Sequence, residues 1–170
     1  MFKRSNQSGF SLIEVLVALL IFSFALLGIA GLMTISIRSN HNGYLRSQAV
    51  LLSNDIAVKM RANVGGLWAD KYQGDAPTTP TTTCSKSTPC DKGQLATYDM
   101  EQWGSQIIQV LPNGSGNLRC TTHPLPAGIL STGLWVASPP FPGICNITVA
   151  WNESNERGSE EQKIDLVIQP

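Results

Sequence analysis

The chain begins with a short polar stretch and continues with a long apolar one. Lys3 and Arg4 lie near the start, and between Val15 and Met33 the only side chain with a polar group is Ser23. Those nineteen residues, at about 1.5 Å each, approach the roughly 30 Å thickness of the hydrocarbon core of a bilayer. The pattern predicts a helix that crosses a membrane, with the two basic residues on its cytoplasmic side.

A different pattern follows Arg38, where apolar residues recur at steps of three and four, as on a helix that lies against a protein core. Asp55 is placed to pair with Lys59 one turn later, and Asn63-Val64-Gly65-Gly66 is a typical stop. We therefore predict one helix from Phe10 to about Asn63. Its buried stripe is predicted to consist of Leu45, Ala49, Leu52, Ile56 and Met60, with Arg46, Ser53 and Asn54 on other sides.

A loop and a second helix are predicted in the middle of the chain. The segment from Pro77 to Thr83 has too few apolar groups to be buried, so it is expected to be an exposed loop. Asp91 and Gln94 have the spacing of a capping box, which predicts a helix from about Asp91 to Leu111. Its inward face is expected to consist of Met100, Trp103, Ile107, Val110 and Leu111.

The last third of the chain alternates apolar and polar residues, which predicts an antiparallel sheet. The segment from Asn152 to Ser159 is expected to be a polar turn. The proline-rich segment from Leu125 to Gly143 is expected to be a surface excursion that carries Leu134, Trp135 and Phe141. The apolar positions of the predicted strands are Leu118 and Cys120, then Cys145, Ile147, Val149 and Trp151, and then Ile164, Leu166 and Ile168.

All four cysteines follow the apolar run. An even number confined to the part that would be exported predicts disulfides in an oxidising compartment. Four cysteines allow three connectivities. Short spacing favours Cys84 with Cys90, and a shared strand face favours Cys120 with Cys145. No histidine or further cysteine lies close to Cys84 and Cys90, so we predict no metal site there.

One acid, Glu14, lies at the start of the apolar run. A carboxylate costs roughly 2.5 kcal/mol or more at the centre of a bilayer, so this residue is a functional hypothesis in itself. The segment Gly9-Phe10-Ser11-Leu12-Ile13-Glu14-Val15 resembles the class III signal of type IV pilins and type II secretion pseudopilins. The resemblance implies that a prepilin peptidase cuts between Gly9 and Phe10 and methylates the new N-terminus of Phe10. It also implies that Glu14 pairs with the terminal ammonium of a neighbouring subunit.

A looser resemblance extends further along the chain. Asp99, Trp103, Leu111-Pro112, Gly114 and Gly116 are similar to positions in PilV-type minor pilins, also called type IV pilus modification proteins. The fold that this family implies is α+β, with a long N-terminal helix packed on a small antiparallel sheet that also carries a second helix. The implied parts are a leader (1–9), the long helix (10–63) with its membrane half at about 10–37, and a periplasmic domain (64–170).

The resemblance implies a minor pilin of a type IV pilus, a non-catalytic subunit that helps to prime assembly or caps the tip. Its expected partners are other minor pilins, the major pilin, the prepilin peptidase, the inner-membrane assembly platform and the lipid bilayer. The expected location is the bacterial inner membrane in a single pass, with the globular part in the periplasm and incorporation into the extracellular pilus.

Composition and chemistry give no sign of catalysis. The 12 basic and 12 acidic residues balance, which offers no support for a nucleic-acid surface. The two histidines, His41 and His123, belong to no nucleophile–base motif. We therefore expect no enzyme activity and no cofactor. The acids Glu153, Glu156, Glu160, Glu161 and Asp165 fit no defined calcium loop and are expected to form a solvated turn.

Two alternatives remain at this level. The first is a minor pseudopilin of a type II secretion system, whose N-terminal helix has the same pattern. The second is a secreted binding protein whose apolar segment is a signal peptide removed near Ala30, since Gly28-Ile29-Ala30 has the small residues of such a site. The N-terminal residue of the mature chain distinguishes the secreted binding protein from the minor pilin.

Overall fold

The computed structural model describes residues 9–122, 141–155 and 158–170. The chain divides into two compact units, Met1–His41 and Asn42–Pro170. A long N-terminal helix and a small antiparallel sheet with further helices confirm the predicted α+β fold class. The helices are α1 (Leu12–Ala62), α2 (Val64–Trp68) and α3 (Lys92–Val110), and the strands are β1 (Gly74–Asp75), β2 (Ser115–Thr121), β3 (Ile144–Asn155) and β4 (Gly158–Ile168).

In the first unit, α1 is apolar on all sides and uncovered. Its side chains from Leu12 to Ile37 are exposed, and Ser23 donates its hydroxyl to the Leu19 carbonyl at 2.7 Å. A helix that is apolar all round is stable in a membrane or in the interior of a large protein. Within the described residues, α1 is the helix that is long and apolar enough to cross a bilayer.

In the second unit, α1 is buried along one side. The predicted stripe is confirmed, with Ala49, Ile56 and Met60 fully buried and Leu45 and Leu52 nearly so. Ser53 was predicted to lie outside the buried stripe, and this is wrong because its side chain is buried. Its hydroxyl donates to the Ala49 carbonyl at 2.8 Å, so its burial leaves no unpaired donor.

The stop at Asn63 is followed by another helical turn. Asn63 caps α2, since its side-chain oxygen accepts the Gly66 N–H at 3.1 Å. Its amide nitrogen donates to the Lys92 carbonyl at 2.8 Å. One side chain therefore ends α1, begins α2 and ties both to the start of α3.

The capping box that begins α3 is confirmed. The Gln94 N–H donates to Asp91 at 2.7 Å, and the Asp91 N–H donates to the Gln94 side chain at 3.0 Å. Most of the predicted inward face is buried, but Val110 is 36% exposed. The chain leaves the helix at Leu111, whose extended backbone allows its side chain to enter the core, and Val110 stays at the solvent edge.

The four strands lie in the order β1-β2-β3-β4, and every neighbouring pair is antiparallel. The predicted alternation is confirmed on β3, where Cys145, Ile147, Val149 and Trp151 are buried. The prediction of a long polar turn from Asn152 to Ser159 is wrong, because β3 and β4 remain paired out to Asn155 and Gly158. Backbone hydrogen bonds between β3 and β4 hold this polar end of the strand pair together.

The predicted surface excursion falls mostly on residues 123–140, outside the described residues, and these include His123, Leu134 and Trp135. Phe141, at its end, is buried and therefore not a surface residue. Its ring meets the ring of Trp68 edge to face, with centroids 5.8 Å apart.

Trp103 joins α3 to α1 and to the sheet. Its side chain is fully buried, and its indole N–H donates to the Leu52 carbonyl of α1 at 3.0 Å. A Cβ atom on Gly116 of β2 would lie 2.7 Å from the Trp103 ring, so only glycine fits against the indole. The spacing of Trp103 and Gly116 noted in the sequence therefore has a packing cause.

A buried polar network lies beside this contact. Tyr72 donates its hydroxyl to Asp99 at 2.6 Å and accepts a longer bond from Asn63 at 3.3 Å. Burial, followed by the bond to Asp99, raises the pKa of Tyr72. Burial also raises the pKa of Asp99, although the bond from Tyr72 opposes this effect. The stability linked to Asp99 is present at low pH and is lost as the pH rises through its raised pKa.

Two more buried acids hold the surface of the domain in place. Glu153 accepts hydrogen bonds from the Arg46 guanidinium of α1 and from the Trp151 indole, both at 3.2 Å. The prediction that this acid belongs to a solvated turn is wrong for Glu153, which is 6% exposed. A carboxylate that leaves water requires donors, and residues from α1 and β3 supply them.

Glu101 of α3 anchors the loop from Pro77 to Thr83. It accepts four hydrogen bonds, from the N–H and hydroxyl groups of Thr81 and Thr82, at 2.6–3.2 Å. The loop is largely exposed, as predicted, but its path is fixed by this carboxylate. Burial raises the pKa of Glu101, and the hydrogen bonds outweigh that effect and bring the pKa below its usual value.

We predict that Glu101→Gln destabilises the domain by about 1–3 kcal/mol at neutral pH, because an amide accepts these bonds more weakly than a carboxylate. A lowered folded-state pKa gives stability above the unfolded pKa, and this stability is lost as the pH falls through the folded pKa. The difference between the variant and the wild type should therefore shrink in acid. Urea unfolding of the full chain in detergent, at neutral and at acid pH, measures this difference in the free energy of unfolding.

The matched control is Glu161→Gln, since Glu161 is an exposed acid on β4. Its effect should stay within about 0.5 kcal/mol at either pH. A difference between Glu101→Gln and the wild type that is the same at both pH values would show that the ionised carboxylate does not anchor the loop.

Candidate interaction site on the first helix

The predicted processing residues lie together at the start of α1. Gly9 and Phe10 precede the helix and are exposed, Phe10 by 82%. Glu14 lies in the first turn, and its N–H donates to the Ser11 carbonyl at 3.0 Å. The first turn of a helix has unpaired N–H groups and a partial positive charge, which favour an acid there.

The carboxylate of Glu14 has apolar neighbours on its own helix. Glu14 and Phe10 line a shallow depression, and the rest of its lining is formed by Val15, Ala18, Leu19 and Phe22. Among the ion pairs of the described part of the chain, none includes Glu14. The acid is thus presented to its surroundings from an apolar surface beside an exposed aromatic ring.

A second exposed surface lies on α1 in the globular unit, and the sequence reasoning missed it. Tyr44, Leu51 and Val58 are 56–61% exposed and are seven residues apart. At 100° per residue they lie on the side of the helix opposite the buried stripe. Seven-residue spacing of apolar side chains is typical of helices that pack along one another. The heptad spacing was the signal in the sequence, and we call these three residues the outer stripe.

The cysteines lie in the globular unit, separate from Glu14. The structure pairs Cys84 with Cys90, which closes a ring just before α3, and Cys120 with Cys145. The second bridge joins directly opposite positions of β2 and β3. The bridges are structural crosslinks within the globular unit, one closing a loop and the other joining two strands.

The part of the chain that the structure describes contains no group of three or more His, Cys, Asp or Glu side chains placed to hold a metal ion. His41 is exposed at the end of the first unit. On α1, the exposed features are the apolar surface beside Glu14 and the outer stripe.

Comparison with known families gives two matches. Residues 4–30 match the model of the prokaryotic N-terminal methylation motif. Residues 31–101 match the model of the type IV pilin Tt1218. Comparisons with curated proteins and with solved structures found no match.

The two matched segments adjoin at residue 30, and together they extend over more than half of the chain. The first contains Gly9, Phe10 and Glu14, and the second contains the buried stripe of α1 and the first half of α3. The signal motif and the apolar helix indicate a subunit anchored in a membrane. Since the fold is also that of a long helix on a small antiparallel sheet, the chain belongs to the type IV pilin and pseudopilin family, a family of structural subunits.

Proposed function

We propose that the protein is a minor pilin of a type IV pilus, a non-catalytic subunit that primes assembly of the fibre or caps its tip. The observation that carries this proposal is Glu14, an acid in the first turn of a helix that is otherwise apolar from Val15 to Met33. The matches to the methylation motif and to a type IV pilin support it.

In the proposed processing step, a prepilin peptidase hydrolyses the bond between Gly9 and Phe10 and transfers a methyl group from a methyl donor to the amine that is released. A methylated amine is still protonated at neutral pH, so Phe10 carries a positive charge. This charge lies about one helical turn from Glu14. In the proposed assembly, the ammonium of one subunit pairs with Glu14 of its neighbour, and neither charge stays unpaired in an apolar surrounding.

The proposed contact continues outside the membrane along the outer stripe. Tyr44, Leu51 and Val58 are exposed in the single chain, and contact with the helix of another pilin would remove them from water. The buried stripe on the opposite side of α1 already contacts the domain. The two sides of α1 would thus serve different partners, one within the subunit and one between subunits.

The proposed topology places Lys3 and Arg4 in the cytoplasm and residues 64–170 in the periplasm. The positive-inside rule supports the first placement. Two disulfides in the domain support the second, since disulfides form in oxidising compartments. Other minor pilins, the major pilin and the inner-membrane assembly platform are the proposed partners.

A minor pseudopilin of a type II secretion system is the alternative within the family. Deletion of the gene in the native host separates the two roles. Loss of pili and of twitching motility supports the pilus, whereas retained pili with loss of enzyme secretion supports the secretion system.

The proposal is tested by the intact mass of the chain extracted from membranes. We expect a mature chain that starts at Phe10, carries one added methyl group and has lost four hydrogens to two disulfides. A chain that starts near Ala30 would instead be a secreted protein without its apolar segment, and the proposed function would be wrong.

Glu14→Ala should leave cleavage intact and reduce assembly. It leaves the ammonium of a neighbour unpaired, at a cost of about 3 kcal/mol or more, which is a factor of roughly one hundred in association. The mature mass and the amount of pili sheared from cells measure the two effects. Ser23→Ala is the control, since the Ser23 hydroxyl bonds only within α1. Wild-type piliation in Glu14→Ala would exclude the pairing role.

Leu51→Asp should also reduce piliation, by about tenfold or more, because burial of a carboxylate in an apolar contact is unfavourable. Val50→Asp is the matched control, since Val50 is also exposed but lies about 100° around α1 from Leu51, outside the stripe. Both variants should accumulate in the membrane as folded, disulfide-bonded chains. Equal piliation in the two variants would show that the outer stripe is not a contact between subunits.

A further inference from the structure

The face of the sheet that points away from α1 and α3 contains a polar groove. It has a volume of about 390 Å³ and crosses β2, β3 and β4. This size falls in the range of small-molecule sites. We call it the outer groove, and its lining consists of Asn117, Arg119, Asn146, Thr148, Lys163 and Asp165.

The groove has two cations and a short polar floor. Arg119 lies directly opposite Asn146, and Asn117 lies opposite Thr148. Thr148 in turn lies opposite Asp165, and Lys163 is two residues from Asp165 on the same strand. Arg119 and Lys163 therefore lie at diagonally opposite corners. Long charged side chains at the corners and short ones between them give the groove its shape.

Some of these polar groups are already paired. Asp165 accepts the Thr148 hydroxyl at 2.6 Å through one oxygen, and its other oxygen is 3.9 Å from the Lys163 ammonium. Asn117 donates to Asp75 at 2.6 Å. These bonds hold the floor in a fixed arrangement.

Two side chains in the groove have hydrogen-bonding groups that no other described residue uses. Over the described ranges, the Arg119 guanidinium and the Asn146 side-chain amide make no hydrogen bond or ion pair. They lie side by side on neighbouring strands. An arginine fork beside an amide N–H₂ is a donor set that matches a planar carboxylate.

The backbone that carries Arg119 and Asn146 is held in place by a disulfide and by hydrogen bonds. The next residues on both strands, Cys120 and Cys145, are joined by a disulfide. The side-chain amide of Gln73 also accepts the Cys120 N–H at 3.1 Å and donates to its carbonyl at 2.7 Å. The backbone under Arg119 and Asn146 is therefore rigid, which lowers the entropy cost of binding.

We propose that the outer groove binds an acidic saccharide, with a sugar carboxylate held by Arg119 and Asn146. The hydroxyl groups of the sugar donate to the Asp165 oxygen that faces Lys163, and Lys163 donates to a second oxygen of the ligand. A saccharide supplies both the carboxylate and the hydroxyl donors that this set of residues requires.

The same residues disfavour nucleic acid. Binding to a phosphate backbone depends on several cations along the chain, and here Asp165 lies between the two cations and Asp75 lies at the edge. No aromatic side chain lines the groove, so it lacks the stacking platform that single-stranded nucleic acid uses. This inference does not depend on assembly into a fibre, because the groove and the outer stripe of α1 are separate surfaces.

The test uses the full chain in detergent micelles and isothermal titration with a trisaccharide of galacturonic acid. Its neutral counterpart, a trisaccharide of galactose, should bind at least about tenfold more weakly, since charged hydrogen bonds are lost. Arg119→Ala should weaken binding of the acidic sugar by about tenfold or more. Arg119→Lys keeps the charge without the fork and should weaken it severalfold.

Two further variants distinguish specific binding from simple charge attraction. Arg61→Ala removes an exposed arginine of α1 that lies outside the groove and should leave the affinity unchanged. Asp165→Asn should weaken binding of the acidic trisaccharide, because a charged acceptor for its hydroxyls is lost. If Asp165→Asn strengthens binding, or if a short oligonucleotide binds at the same affinity, the groove is only an attractive surface for anions. Equal binding of the acidic and neutral sugars, or no effect of Arg119→Ala, would also overturn the proposal.

Discussion

The contact between one side of α1 and the globular domain is the constraint on which the rest of the structure depends. Apolar residues of α1 occupy the core, and Trp103 of α3 fixes the contact by bonding the Leu52 carbonyl. The indole fits because Gly116 of β2 has no side chain. The helices α1 and α3 and the strand β2 therefore meet at the Trp103 ring, which fixes their positions relative to one another.

Once α1 is fixed in this way, its two parts have different surroundings. In the first unit every described side is exposed and apolar from Leu12 to Ile37, which suits a lipid environment. In the second unit one side is buried, and the outer stripe is left uncovered. Glu14 is the one charged residue between Leu12 and Ile37 in the sequence. The proposed function assigns it to a partner because a charge in an apolar medium requires one.

The buried acids show how the domain completes its core. Asp99, Glu101 and Glu153 each leave water, and each has hydrogen-bond donors from distant parts of the chain. Burial raises the pKa of both Asp99 and Glu101, but the pKa of Glu101 is lowered overall because Glu101 accepts four hydrogen bonds, whereas Asp99 accepts one from Tyr72. The sheet is stiffened further by the bridge between β2 and β3, behind the outer groove.

Periodicity in the sequence determined α1 with its buried stripe, α3 and the strands β2 to β4, because side-chain spacing reports directly which side of an element faces the core. It did not indicate α2 or β1. The signal motif likewise determined where Glu14 lies relative to Phe10. Tertiary structure alone decided that Ser53, Phe141 and Glu153 are buried and that Val110 is exposed. The burial of such residues depends on partners far away in the chain, such as Arg46 for Glu153, and local spacing carries no information about contacts of that range.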